Sequence, residues 1–135
     1  VFVDVARNDA ADYRNVTTDP TTNIPSGLDT AYAAGITYGK AGDPRTWEIG
    51  YVYQKVEKDA LFGQWVDSDF ASGTTDNEGS AVRFAYAFAR NWRVNMTYFV
   101  TETNKDVAAA VIAPVSRSVF DREFQRIQID LNVSF

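Results

Sequence analysis

The chain has 135 residues, of which 45% are hydrophobic and 14% aromatic, and a net charge of −5. It contains no Cys and no His, which excludes disulfides and thiolate metal sites and removes the commonest acid–base residue. The acidic charge is spread along the chain without a basic stripe, so nucleic acid is not expected as a partner. No run approaches the ~18 apolar residues of a membrane-spanning helix, but strands can cross a bilayer with shorter alternating segments.

Apolar and polar side chains alternate along six segments, and alternation predicts strands because side chains point to opposite faces. The first segment, residues 1–7, starts inside the pattern and without Met, so we expect the chain to be cut from a longer one. In the last segment every odd position from Ile127 to Phe135 is apolar and every even position is polar. The four segments between them are residues 31–39, 46–54, 80–89 and 92–101.

The connections alternate in length. Residues 40–45 and 89–91 form short turns, whereas residues 8–30, 56–79 and 102–122 form long polar loops. Long loops at one end and short turns at the other are typical of an outer-membrane barrel, in which the last strand ends at the periplasmic side. The sequence therefore predicts an all-β fold, an antiparallel up-and-down meander of six strands from a transmembrane β-barrel.

Six strands are too few to close a barrel, since single-chain barrels have at least about eight. We expect residues 1–135 to be the C-terminal segment of one barrel domain whose other strands precede Val1. A second arrangement has several chains each contributing six strands to a shared barrel.

A soluble β-sandwich would show the same alternation. Three features favour a membrane barrel instead: small residues on the polar side of the strands, the alternating strand that ends on Phe135, and aromatic residues near both strand ends. The aromatic residues assigned to the short-turn end are Tyr38, Trp47, Trp92 and Phe135, and those assigned to the loop end are Tyr53, Tyr98 and Phe99.

The polar sides of the strands supply candidate pore-lining residues. Charged groups inside a lumen set ion preference, although the same residues could serve only as an interior polar network. Three of them, Arg83, Arg93 and Arg126, could form an arginine patch. The candidates are Asp4, Glu48, Gln54, Arg83, Arg93, Asn95, Arg126, Gln128, Asp130 and Asn132.

The loop at residues 56–79 imitates the outline of a calcium-binding loop through Asp67, Asp69 and Glu78. The match fails at Ala71, where a ligand is expected, and at Ser72, where glycine is expected. A solvated surface loop is the simpler interpretation. Apolar residues of this loop, among them Leu61 and Phe70, are expected to pack locally and to fold it over the mouth of the barrel.

The end of the chain resembles the C-terminal signal read by the outer-membrane assembly machinery, through Phe135 and the alternate residues Val133, Leu131 and Ile129. Residues 46–99 resemble the Gram-negative family called "Putative porin". The resemblance is carried by Trp47 to Tyr53, by Val66 to Phe70, and by Arg90-Asn91-Trp92.

This resemblance implies a large barrel that acts as a diffusion pore and supplies no catalytic residues. We therefore predict an outer-membrane porin for small hydrophilic solutes or ions, not an enzyme and without a cofactor. The alternative is a barrel that anchors adhesive loops. The expected partners are outer-membrane lipid and lipopolysaccharide, the remaining strands of the barrel, the assembly machinery at Phe135, and copies of the chain in a homotrimer.

Overall fold

In the computed structural model, residues 1–11, 28–61, 69–70, 73, 75–103 and 122–134 are described. They contain six strands, which pair antiparallel in chain order within one sheet. The predicted all-β up-and-down meander is therefore confirmed, and within the described residues its two edges, β1 and β6, do not meet. The strands are β1 (Phe2–Arg7), β2 (Thr30–Gly39), β3 (Thr46–Val56), β4 (Asn77–Ala89), β5 (Trp92–Thr103) and β6 (Arg122–Val133).

Two strands begin earlier than the alternation predicted, β4 at Asn77 and β6 at Arg122. The hydrogen-bonded ladder continues past the amphipathic part of these strands, where Glu102 lies opposite both Glu78 and Glu123. Both faces are polar at this level, so the hydrophobic period vanishes although the backbone stays paired.

The short turn between β2 and β3 is fixed by local hydrogen bonds. The Thr46 hydroxyl donates to the Asp43 carbonyl over 2.6 Å and accepts from the Gly42 backbone N–H over 3.1 Å. Gly39 enters the turn with a φ of 83°, and a Cβ there would lie 2.5 Å from the Trp47 carbonyl oxygen. Glycine meets both constraints because it lacks a Cβ.

The buried residues do not form one central core. They gather in three small clusters: Ala31, Val56 and Ala60 beside the long loops, Phe70, Ala81 and Phe99 further along the sheet, and Ala41, Ala85 and Ala87 at the short-turn end.

The large apolar residues are instead exposed, for example Ile129 at 67% and Ile36 at 53%. Among the described residues no second sheet covers this face, as a β-sandwich would require. Nor does any helix in this part of the chain have the length and apolarity to cross a bilayer.

Candidate functional site

Strand register brings all the candidate pore-lining residues to one face of the sheet. Asp4 and Gln54 both pair with Ala33, and Arg83 pairs with Thr97, which in turn pairs with Gln128. Because paired residues point to the same side, the whole set shares this polar face. The set is Asp4, Glu48, Gln54, Arg83, Arg93, Asn95, Arg126, Gln128, Asp130 and Asn132. That the face lines a pore stays a prediction.

The charges on the polar face follow the strand order. The acidic residues Asp4 and Glu48 lie on β1 and β3, whereas Arg83, Arg93 and Arg126 lie on β4, β5 and β6, where Asp130 of β6 is the one acidic strand residue of the set. The three arginines of the predicted patch lie on neighbouring strands but in different rows, so the patch stays a prediction. On the polar face, negative charge therefore prevails towards the β1 edge and positive charge towards the β6 edge.

A hollow of about 170 Å³ lies where these two regions meet, and Glu48, Arg83, Asn95 and Thr97 contribute to its lining. The carboxylate and the guanidinium face the same small volume, so they can orient water or a polar solute between them. Within the described residues Arg83 and Arg93 form no ion pair and are exposed. Their charges are therefore not compensated within this part of the chain.

On β6, Gln128 is held by its neighbour on the same face. Its amide nitrogen donates to the two carboxylate oxygens of Asp130 over 3.4 Å and 3.2 Å. Its carbonyl oxygen is buried and has no hydrogen-bond partner in the described part of the chain. On this part of the polar face, Gln128 and Asp130 are therefore joined to each other through the amide nitrogen alone.

Arg126 has a partner from the connection between β3 and β4. The Arg126 guanidinium lies 2.9 Å from the Asp69 carboxylate, and both side chains are a little over one-third exposed. The next residue, Phe70, is buried against Phe99, with ring centroids 6.4 Å apart and a T-shaped angle of 79°. The connection therefore reaches onto the polar face at this point.

This contact corrects one prediction and extends another. Phe99, predicted among the aromatic residues at the loop end, lies on the polar face and is only 4% exposed beneath Phe70, so it does not contribute to the aromatic residues of the apolar face. The predicted local packing of the loop is seen for Leu61, which packs beside Ala31 and Val56, and for Phe70. The ion pair between Asp69 and Arg126 was not foreseen. Its only sequence signal was Phe99, a large aromatic residue at a polar-face position of β5.

The apolar face carries aromatic pairs near both ends of the strands. At its loop-side edge, the Tyr51 hydroxyl lies 2.7 Å from the Ser80 hydroxyl, and the Tyr98 hydroxyl donates to Gln125 over 3.0 Å. Aromatic rings with bonded polar groups suit the two boundaries between lipid and water. The ring pairs are Tyr38–Trp47 and Phe88–Trp92 near the short turns and Tyr32–Tyr53 near the long loops.

The bases of the first two long connections are joined at the loop end. Asn8 donates from its backbone to the Asp29 carbonyl over 2.9 Å and from its side chain to the Asp59 carbonyl over 2.7 Å. The backbone N–H of Asp59 also donates to the Leu28 carbonyl over 2.9 Å. These contacts tie the two connections to each other before they leave the sheet.

An ion pair reinforces the same region. The Arg7 guanidinium donates to the Asp29 carboxylate over 3.0 Å, and the Thr30 hydroxyl donates to the same group over 3.0 Å. The bond from Arg7, followed by that from Thr30, lowers the pKa of the buried Asp29 carboxyl below its usual value.

The calcium prediction involves residues that the fold separates. Asp67 lies outside the described residues, Asp69 contacts Arg126 on the polar face, and Glu78 occupies a β4 position of the opposite face, between Lys55 and Glu102. Among the described residues, no three acidic side chains are grouped so that they could hold a metal ion. Phe135, the predicted assembly signal, also lies outside the described residues.

A sheet with one exposed apolar face and one charged face can be compared with known families. The profile of the family described as "Putative porin" matches residues 1–135, the whole chain. The chain belongs to this porin family. Membership indicates a membrane location and a transport channel rather than an enzyme. No curated protein and no solved structure matches the chain.

Proposed function

We propose that this chain forms part of the wall of an outer-membrane porin, a passive diffusion channel for small hydrophilic solutes or ions. The observation that carries the proposal is the separation of the two faces of one sheet. Large apolar side chains are exposed on one side, while Glu48, Arg83 and Arg93 are grouped on the other. In this proposal the apolar face contacts lipid, and the polar face lines water.

The height of the apolar face supports this arrangement. On β5 its apolar positions run from Trp92 to Val100, which is about 27 Å along the strand at ~3.4 Å per residue. Strands of outer-membrane barrels are tilted by about 40°, so this run covers roughly 20 Å along the membrane normal, close to the ~25 Å apolar band of such barrels.

The two sheet edges need partners inside a membrane, because unpaired backbone groups are costly in lipid. We propose that further strands of the same barrel complete the wall, and that the long loops face the cell exterior. Outer-membrane lipid, lipopolysaccharide, the assembly machinery at Phe135 and a homotrimeric state belong to this proposal.

The mechanism needs no cofactor. Polar groups on the wall replace part of the hydration shell of a solute, and the width of the lumen limits its size. Arg83 and Arg93 carry unpaired charges within the described wall, so they attract anions and disfavour cations.

Reconstitution of the purified protein in planar bilayers tests the proposal. We expect stepwise single-channel currents and, for the variant carrying Arg83→Gln and Arg93→Gln, a reversal potential in a KCl gradient that is displaced towards cation preference. Arg45→Gln is the matched control, since Arg45 lies in an exposed turn outside the strands. A protein that inserts but never conducts would favour the adhesive-anchor alternative.

A further inference from the structure

The connection between β3 and β4 lies on the polar face at Asp69 and Phe70. Ala81, Phe99 and Arg126 form one row across β4, β5 and β6, because Ala81 pairs with Phe99 and Phe99 pairs with Arg126. Phe70 packs on Ala81 and Phe99, and Asp69 contacts Arg126. Two consecutive residues therefore contact three neighbouring strands.

This row lies well below the loop end of the wall. Phe99 precedes the last residue of β5, Thr103, by a distance of about 13 Å along the strand. Phe99 lies between Tyr98 and Val100, within the apolar run of β5, so the segment reaches the outer part of the level that the proposed function places in the membrane. Asp69 and Phe70 therefore occupy space in front of the wall, on the side that carries Arg83 and Arg93.

The two contacts differ in strength. The ion pair is partly exposed, and ion pairs of this kind contribute little to stability. The two rings are each only 4% exposed, and Ala81 supplies a small side chain beneath them. Apolar contact with Phe99 therefore holds the segment, whereas Asp69 fixes its position and compensates the charge of Arg126.

We propose that Asp69 and Phe70 form the size filter of the channel, an assignment that rests on the proposed porin function. A solute that moves along the polar face has to pass between this segment and the opposite wall. Arg126 is occupied by Asp69, so the filter limits size, and the choice between ions is left to Arg83 and Arg93.

Chemical bridging tests whether the segment lies on the wall. The chain has no native Cys, so Asp69→Cys with Arg126→Cys introduces the only two thiols of this chain, while Phe70 still holds the segment. A short bifunctional methanethiosulfonate reagent should bridge this pair in the folded full-length protein. The control pair, Asp4→Cys with Asp69→Cys, should not be bridged because Asp4 lies on β1, about 24 Å across the sheet from β6. Failure to bridge the first pair would overturn the proposal.

Solute permeation tests the role of the segment as a filter. In liposome-swelling assays, Phe70→Ala should increase the entry rate of a trisaccharide by a larger factor than that of a monosaccharide, and should raise single-channel conductance. Leu61→Ala is the control, because Leu61 belongs to the same connection but packs near Ala31.

Three results separate the filter from the porin function. Bridging together with the size-dependent increase supports both. In a second outcome, the double-cysteine variant bridges and the wild-type protein conducts, but Phe70→Ala leaves the ratio of the two swelling rates unchanged. This outcome overturns the filter and leaves the porin function standing. A double-cysteine variant that bridges at residues 69 and 126, together with a wild-type protein that carries no current, overturns both.

Discussion

A lysine introduced on the apolar face of β2 should lower the free energy of unfolding far more than a lysine introduced at the next position, on the polar face. Ile36 and Thr37 are consecutive and exposed, but they point to opposite faces of the sheet. Ile36 is 53% exposed on the apolar face near the middle of its strand, opposite Tyr51. Thr37 lies on the polar face opposite Gly50, with Glu48 on the same side of the neighbouring strand.

The cost of each substitution follows from its face. Lysine on the lipid-facing surface of a barrel costs about 2–4 kcal/mol near the middle of the bilayer. We expect Ile36→Lys to lower the free energy of unfolding by about 3 kcal/mol, which is a roughly hundredfold change in the folding equilibrium. Thr37→Lys should stay within about 0.5 kcal/mol, because its ammonium group meets water, with the Glu48 carboxylate nearby and the exposed Arg83 guanidinium across Gly50.

Urea titration of the full-length protein in lipid vesicles measures both variants, with tryptophan fluorescence as the signal. Trp47, which packs against Tyr38 on the apolar face, reports on insertion. Equal losses for the two variants, or a larger loss for Thr37→Lys, would refute the assignment of the apolar face to lipid.

Two further predictions concern the loop end and the close approach of two strands. The Asp29 carboxyl has a lowered pKa, so its ion pair with Arg7 stabilises the fold at neutral pH, and that contribution is lost as pH falls through the lowered value. In Asp29→Asn, the urea midpoint should fall less steeply as the pH is lowered below the ordinary pKa of an aspartate. An unchanged slope would contradict this. A Cβ at Gly79 would lie 2.3 Å from the Val100 carbonyl oxygen, so Gly79→Ala should cost about 1–3 kcal/mol in the same titration. Gly42→Ala, whose Cβ would come no nearer than 3.6 Å to another atom, is the control, and equal costs would contradict the steric explanation.

The sequence predicted the strands and their order because each strand has one apolar and one polar face, which gives the sequence a period of two. In β6, Ile127, Ile129 and Leu131 alternate strictly with polar residues, so neither the element nor its faces were ambiguous. The loop ends of β4 and β6 were missed because backbone pairing continues there without a difference between the faces.

The polar face was predicted as a set, but its internal contacts were not. Alternation fixes the face of each residue once neighbouring strands are known, and this placed Arg83, Asn95 and Gln128 on one side. The contact between Asp69 and Arg126 depends on the path of a connection that has no period. Phe99, an aromatic residue out of phase with its strand, was the one indication that something covers the wall there.

The hydrogen bonds that join Asn8, Asp29 and Asp59 at the bases of the first two long connections use mainly backbone groups. Side-chain replacements further out leave such bonds intact, so in the proposed orientation the mouth of the wall keeps its geometry when the loop sequence changes. An epitope tag inserted within residues 12–27 should therefore be displayed on the cell without disturbing the strands beneath it.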